Sequence, residues 1–184
     1  MTPDEVLASI EREAPQKWPI IIGPVRGKVL DDVVLEHRPS VILEVGALVG
    51  YSAIRMGRHL GKGGKLVSIE VSERSAGIAR RHVELAGLSD RISFVVGDAE
   101  SEIPRLGLRL DMVFLDAVKS DYLDYLRMCE PMMHSGSVVA ADNVRSHPVE
   151  LAGYLRHVRS SGRYESRYVE PEGGGDAVEV SVMR

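Results

Sequence analysis

Two carboxylates, an amide and a lysine stand at or just beyond the ends of two apolar runs. Asp116 closes L-D-M-V-F-L-D, and Asp142 and Asn143 close S-V-V-A-A-D-N. Such runs read as buried strands, and the carboxyl ends of parallel strands meet along one edge of a sheet. An all-oxygen set of two carboxylates and an amide suits a hard cation such as Mg²⁺ and not zinc. Three protein ligands leave roughly three of six octahedral positions for water or substrate. Asp142-Asn143 taken alone also fits a turn or a helix cap. Lys119 follows Asp116 by three residues. A dication beside it would disfavour the ammonium form, which makes Lys119 a candidate general base; an exposed surface lysine is the plainer alternative.

A second stretch, Val41 to Ser52, reads V-I-L-E-V-G-A-L-V-G-Y-S. It is a strand ending in Glu44, a turn carrying Gly46 and Gly50, and the start of a helix. The spacing is not the dinucleotide G-x-G-x-x-G, because Leu48 stands where the middle glycine would be. Glu44 would repel a pyrophosphate but suits a ligand bearing an ammonium group. Glu70 ends the next apolar run, at the place where an acid holds ribose hydroxyls. S-adenosylmethionine, an adenosine bearing an amino acid, fits both carboxylates. An ordinary strand-loop-helix with surface acids is the competing reading. Asp98 ends a further strand and can accept from an adenine amino group, cap the helix that follows, or do both. The six histidines, at 37, 59, 82, 134, 147 and 157, show no metal-ligand pairing and read as surface residues, with His147 near the site through its loop. No serine sits in a nucleophile-elbow pattern, and Cys129 reads as core.

The elements that must position these groups follow from periodicity. Thr2, Pro3 and Glu5 form a capping box opening a helix to about Glu13, after which Pro15 and Pro19 break the chain around Trp18. Ile20-Ile21-Ile22 reads as an apolar loop, and a helix follows over about Val25–His37. Strands are expected at Val41–Val45, Lys65–Val71, Ile92–Val96, Leu110–Asp116 and Ser137–Ala141. Helices between them are expected at Ser52–Leu60, Glu73–Ala86 (with Arg80, Arg81 and His82 on a solvated face), Ser101–Arg105 and Tyr122–Met132. A last helix, Val149–Ser160, precedes two strands, Tyr164–Glu170 and Ala177–Met183, read as a half-exposed antiparallel pair. This order predicts a doubly wound α/β fold, a Rossmann-like, mostly parallel sheet with a C-terminal antiparallel hairpin, as one domain over residues 1–184. With 184 residues, 44% hydrophobic and 27% charged, the composition is that of a globular domain. The net charge of −4 gives no basic footprint for nucleic acid. No apolar run reaches the ~20 residues of a membrane span. One cysteine and an acidic N-terminus without a signal-peptide pattern lead to an expectation of a cytoplasmic protein.

The chain resembles the catechol O-methyltransferase family, among the class I S-adenosylmethionine-dependent enzymes. The resemblance runs from Trp18 to the end. It is carried by G-P-V-R-G-K (Gly23–Lys28), V-I-L-E-V-G-A-L-V-G-Y-S-A-I-R-M (Val41–Met56), A-G-L-S-D (Ala86–Asp90), D-M-V-F-L-D-x-x-K-x-x-Y-L (Asp111–Leu123) and V-V-A-A-D-N-V (Val138–Val144). It implies that Asp116, Asp142 and Asn143 hold Mg²⁺ and that Lys119 is the catalytic base. Glu44 would lie near the methionine amino group and Glu70 would hold the ribose. Ile22 and Ser52 are further implied cofactor contacts, and Gly46, Tyr51, Val71, Asp98, Ala99 and Asp116 complete the expected set. On the substrate side, Trp18 matches a gatekeeping residue and Glu170 matches the glutamate that binds the second catechol hydroxyl, beside Lys119 and Asn143. The expected partner is a small catechol or another vicinal-diol phenol, and the expected state is a monomer or weak homodimer.

Two departures bear on the pocket. Ala117 and Val118 stand where the animal enzymes of the family carry a histidine and a tryptophan, so the adenine loses an aromatic neighbour and the pocket should be more open. Ala99 and Glu100 replace polar residues that help fix the adenine. Three rival readings stay open: a dinucleotide-dependent oxidoreductase, a non-catalytic cofactor-binding partner protein, and a methyltransferase for a larger phenolic such as a caffeoyl thioester.

Overall fold

The computed structural model describes residues 1–18 and 20–184. The chain runs α1 (Pro3–Lys17), α2 (Gly23–His37), β1 (Val41–Val45), α3 (Tyr51–Gly57), β2 (Lys65–Glu70), α4 (Glu73–Leu85) and β3 (Ile92–Val96). It continues through α5 (Ala99–Glu102), β4 (Met112–Leu115), α6 (Tyr122–Cys129), β5 (Val138–Ala141), α7 (Ala152–Ser160), β6 (Tyr164–Val169) and β7 (Val178–Met183). The strands form one seven-stranded sheet in the order β3-β2-β1-β4-β5-β7-β6. Strands β1 to β5 are parallel, and β7 runs antiparallel to both β5 and β6. This is the expected mostly parallel α/β sheet with its terminal hairpin. No helix among the described residues is long and apolar enough to cross a membrane.

The period-2 alternation of each central strand sends its side chains into two cores. Ile42, Met112, Phe114, Val138 and Ala140 pack with Leu30 of α2 and Ile54 of α3 on one face. Leu43, Val45, Val113, Leu115, Val139 and Ala141 pack with Tyr122 of α6 and Tyr154 of α7 on the other. Covering both faces leaves the carboxyl ends of the strands as the exposed edge. Between β1 and β4 the chain changes its direction of winding, and that switch point opens a crevice where open α/β sheets bind ligands.

The structure corrects several boundaries. Helix α1 continues through Pro15 to Lys17, because a proline in the last turn sacrifices one N–H bond where the helix is about to end. The expected break at Pro19 falls outside the described residues. Helix α2 starts at Gly23, α3 spans Tyr51–Gly57, and the last helix begins at Ala152, after an irregular turn. The segment expected as Ser101–Arg105 is α5 followed by a 3₁₀ turn, and α6 ends at Cys129 with a 3₁₀ turn beyond. Of the hairpin's two strands, β6 is largely exposed and β7 is buried. Strand β7 lies inside the sheet, and Glu179, placed by alternation on a wet face, is 1% exposed. It is paired there in a two-pronged contact with Arg159, at 2.6 and 2.7 Å.

The histidines are not simply surface residues. His134 meets Asp111 at 2.9 Å, His157 meets Glu130 at 2.7 Å, and His59 lies 3.1 Å from Asp31. His82 leaves the solvated face of Arg80 and Arg81: its Nδ1 lies 2.8 Å from the Val49 carbonyl, and its ring meets Trp18 edge-on at 5.5 Å.

Candidate active site

A cavity of about 850 Å³ opens at the carboxyl ends of β1, β2, β4 and β5. Its floor is the glycine turn after β1. Gly46 has φ +98, and a Cβ there would sit 2.3 Å from the carbonyl oxygen of Asp116. The turn can therefore approach β4 only without a side chain. Leu48, where a second glycine would be expected in a dinucleotide motif, adopts φ +48 all the same, a left-handed conformation uncommon for such a residue.

Glu70 turns back onto this loop. Its Oε2 accepts the N–H groups of Ala47 and Leu48 at 3.2 and 2.8 Å, and its Oε1 accepts Ser72 N–H at 2.9 Å. It still lines the cavity, with Gly46, Tyr51, Ser52, Val71, Asp98 and Ala99 nearby and Ile22 across the opening. Asp98 caps α5 by accepting Glu100 N–H at 3.2 Å and also lines the cavity.

Glu44 is fully buried, one layer behind the wall, and its two oxygens accept the Ser52 and Ser68 hydroxyls. Burial pushes its carboxyl up to about 7; the two serine hydrogen bonds oppose the rise, and Asp116 and Glu70 add to it. Because the folded value lies above the ordinary 4.5, the folded chain holds this proton more tightly than the unfolded one. The stabilisation is complete below pH ~4.5 and is lost as pH rises through ~7. Glu44→Gln is therefore expected to flatten stability over that window by on the order of 3 kcal/mol. Denaturant titrations from pH 4 to 8 check this, and parallel curves for the two proteins would refute it.

The opposite wall carries Asp116, Lys119 and Asn143. Lys119 Nζ donates to Asp116 Oδ1 at 2.8 Å and to the Tyr122 hydroxyl at 2.7 Å. Asp142 is 1% exposed, and its Oδ2 meets Arg26 Nη1 at 2.5 Å. Its Oδ1 is buried with no hydrogen-bond partner among the described residues. Burial first, and then repulsion from Asp116, push the Asp142 carboxyl up to about 6, against the pull of Arg26. Asn143 lines the cavity with φ +66, and its Nδ2 donates to Asp176 Oδ2 at 2.9 Å. Burial works against the charge on Asp176, but hydrogen bonds from Ser146, Asn143 and backbone N–H groups outweigh it and hold the carboxyl at about 2.

Two expected substrate residues lie away from this cavity. Trp18 packs on His82 and Glu170 is exposed, 3.8 Å from Arg145; neither is among the lining residues. Arg26, Asp121 and Tyr125 line the cavity without having been singled out. Arg26 is one turn beyond Ile22 on α2, where its Nε also reaches the Ile22 carbonyl at 3.2 Å. Tyr125 is one turn beyond Asp121, and this spacing was the available signal. His147, expected near the site through its loop, does line the cavity.

A sequence model of the O-methyltransferase family matches residues 4–150. The catechol O-methyltransferase of Sus scrofa is 40% identical over 89% of this chain and 92% of that protein. The catechol O-methyltransferase of Bos taurus is 38% identical over 99% of this chain and 71% of that protein. Among solved structures, an O-methyltransferase from Bacillus cereus in complex with SAH superposes with a TM-score of 0.86 at 27% identity, covering 99% of this chain and 90% of that one. Matched along most of its length, and with Glu70, Asp98, Asp116 and Lys119 gathered at one cavity, the chain belongs to the O-methyltransferase family as a homologue of the catechol O-methyltransferases.

Proposed function

We propose that the chain transfers a methyl group from S-adenosylmethionine to one hydroxyl of a catechol-type small molecule, with Mg²⁺ held by Asp116, Asp142 and Asn143. The observation that carries this reading is the pairing of Lys119 with Asp116, at 2.8 Å, on the wall that also presents Asn143. The donor set fits a hard cation: the oxygens are carboxylate and amide, Asp142 Oδ1 lacks a partner, and Asp116 and Asp142 repel one another. When bound, such a cation lowers the pKa of a coordinated hydroxyl and orients two vicinal oxygens.

The chain's own residues do the rest. The glycine turn and Ser52 flank the methionine portion, and Glu44, behind the wall, accepts the Ser52 hydroxyl and holds Ser52 in place. Glu70, rigidly held by three backbone donors, faces the ribose, while Asp98 and Ala99 flank the adenine. Lys119 takes the proton of the reacting hydroxyl. Much of the rate gain comes from holding that oxygen and the methyl carbon at about 3 Å with water excluded.

The test is methyl transfer from labelled S-adenosylmethionine to a catechol and to a monophenol, with Mg²⁺ and with a chelator. Labelling of the catechol alone, abolished by the chelator and restored by Mg²⁺, is the expected result. Full activity in excess chelator would exclude the cation's role, and labelling of the monophenol would exclude chelation by two oxygens. A larger phenolic such as a caffeoyl thioester is the second reading. It is favoured by Val118, which lines the cavity yet is 57% exposed beside the small Ala117.

A further inference from the structure

We propose that Asp176 is a positioning residue that sets which way Asn143 presents its side-chain amide, and thereby completes the cation site. The inference rests on the reading of Asn143 as a cation ligand. A primary amide has a donor end and an acceptor end on opposite sides. Only the NH₂ end can face a carboxylate, and Asn143 Nδ2 lies 2.9 Å from Asp176 Oδ2. The neighbour's charge thus settles the orientation that geometry alone leaves open. The carbonyl end is turned away from Asp176, as an oxygen ligand to a cation beside Asp116 and Asp142 requires.

Asp176 is itself held firmly. Its Oδ1 accepts N–H groups of Arg145, Ser146 and Ala177 at 3.0, 3.2 and 2.8 Å, and its Oδ2 also accepts the Ser146 hydroxyl. Val144 N–H bonds the Ala177 carbonyl at 3.1 Å. The turn after β5 is therefore fastened to the residues that lead into β7. Asn143 takes its left-handed φ of +66 inside this turn, a conformation asparagine tolerates better than most residues. One carboxylate from a remote part of the sequence thus fixes both the backbone around Asn143 and the rotation of its amide. Partners of this kind behind a metal ligand typically govern metal affinity.

The experiment is a titration of the full chain with Mn²⁺ alone, read by electron paramagnetic resonance, beside calorimetric binding of S-adenosylhomocysteine and thermal melts. Asp176→Ala is expected to weaken Mn²⁺ by about 10- to 100-fold while the nucleoside affinity stays within about threefold. Asp176→Asn keeps an acceptor oxygen for the Asn143 amide and should recover most of the Mn²⁺ affinity. In an Asn143→Ala background, Asp176→Ala should cost nothing further, because the two act as one unit. Wild-type Mn²⁺ affinity in a folded Asp176→Ala, or additive losses in the double variant, would overturn the inference. If Asp176→Ala does not fold, Asp176→Ser, which removes the acceptor facing Asn143 Nδ2 but keeps a small polar side chain, replaces it in the same cycle. Absence of Mn²⁺ binding by the wild type would instead bring down the cation reading, and this inference with it.

Discussion

Lys119→Ala is expected to lower kcat by about 10²- to 10⁴-fold, or about 3–5 kcal/mol of transition-state stabilisation, while the affinity for S-adenosylmethionine stays nearly unchanged. Lys119 Nζ is bonded to Asp116 and to the Tyr122 hydroxyl, at 2.8 and 2.7 Å, so its approach to the cavity is fixed from two sides. Tyr122 cannot take over as base: burial, together with the charges of Asp116 and Asp142, holds its phenol well above the ordinary value and therefore protonated. Its hydroxyl lies 3.4 Å from the Asp142 carbonyl and is oriented by it. Single-turnover kinetics on the variant, with calorimetric cofactor binding alongside, measure the two quantities separately. Turnover at the wild-type rate would remove Lys119 from the role of base. A matching loss of cofactor affinity would make it a binding residue instead.

Gly46→Ala should be the most damaging of the small changes. The added methyl would lie 2.3 Å from the Asp116 carbonyl oxygen and 2.9 Å from its carbonyl carbon. Both atoms are backbone, so neither can swing aside. The φ of +98 adds its own penalty for any residue with a Cβ. A left-handed backbone costs roughly 1–2 kcal/mol and overpacking roughly 1–3 kcal/mol, which together place the loss at about 2–5 kcal/mol. For a domain of this size that is a fall of roughly 4–20 °C in Tm. Relief of the clash moves Asp116, so kcat/KM should fall further than the melting temperature alone explains. A variant with wild-type Tm and wild-type kcat/KM would show that the turn and β4 are not in contact in solution.

The parts of this molecule legible in the sequence are those set by local periodicity. Apolar runs ending in Glu70, Asp116 and Asp142 read as strands because two-sided burial leaves little room for polar residues until the sheet's edge; Glu44 departs from this, a carboxylate buried inside β1. That edge is where the groups meet. What was not legible depends on pairing across long sequence separations. Glu179 alternates as a solvent-facing residue would, yet it is buried because Arg159 reaches it from α7. Arg26 looks like any helical arginine until α2 is laid over Asp142. His82 shares a charged stretch with Arg80 and Arg81, but Val49 and Trp18 take it inward. Trp18 and Glu170 were placed by resemblance alone, and the structure does not bring either to the cavity wall. Pro15 warns that a breaker near a helix end is only a weak stop.

The internal position of β7 ties the terminal hairpin to the site. Strand β5, which delivers Asp142 and Asn143, has β4 on one side and β7 on the other. Detaching β7 would bare one flank of β5 and release the Val144–Ala177 bond at the same moment. The hairpin and the site wall are therefore expected to open as one unit. A ligand that binds only the closed wall must suppress excursions of the hairpin by mass action, as surely as a change that loosens the hairpin must weaken the ligand. Resistance of residues 164–183 to proteolysis is in this sense a gauge of how full the cavity is, read from the far side of the sheet.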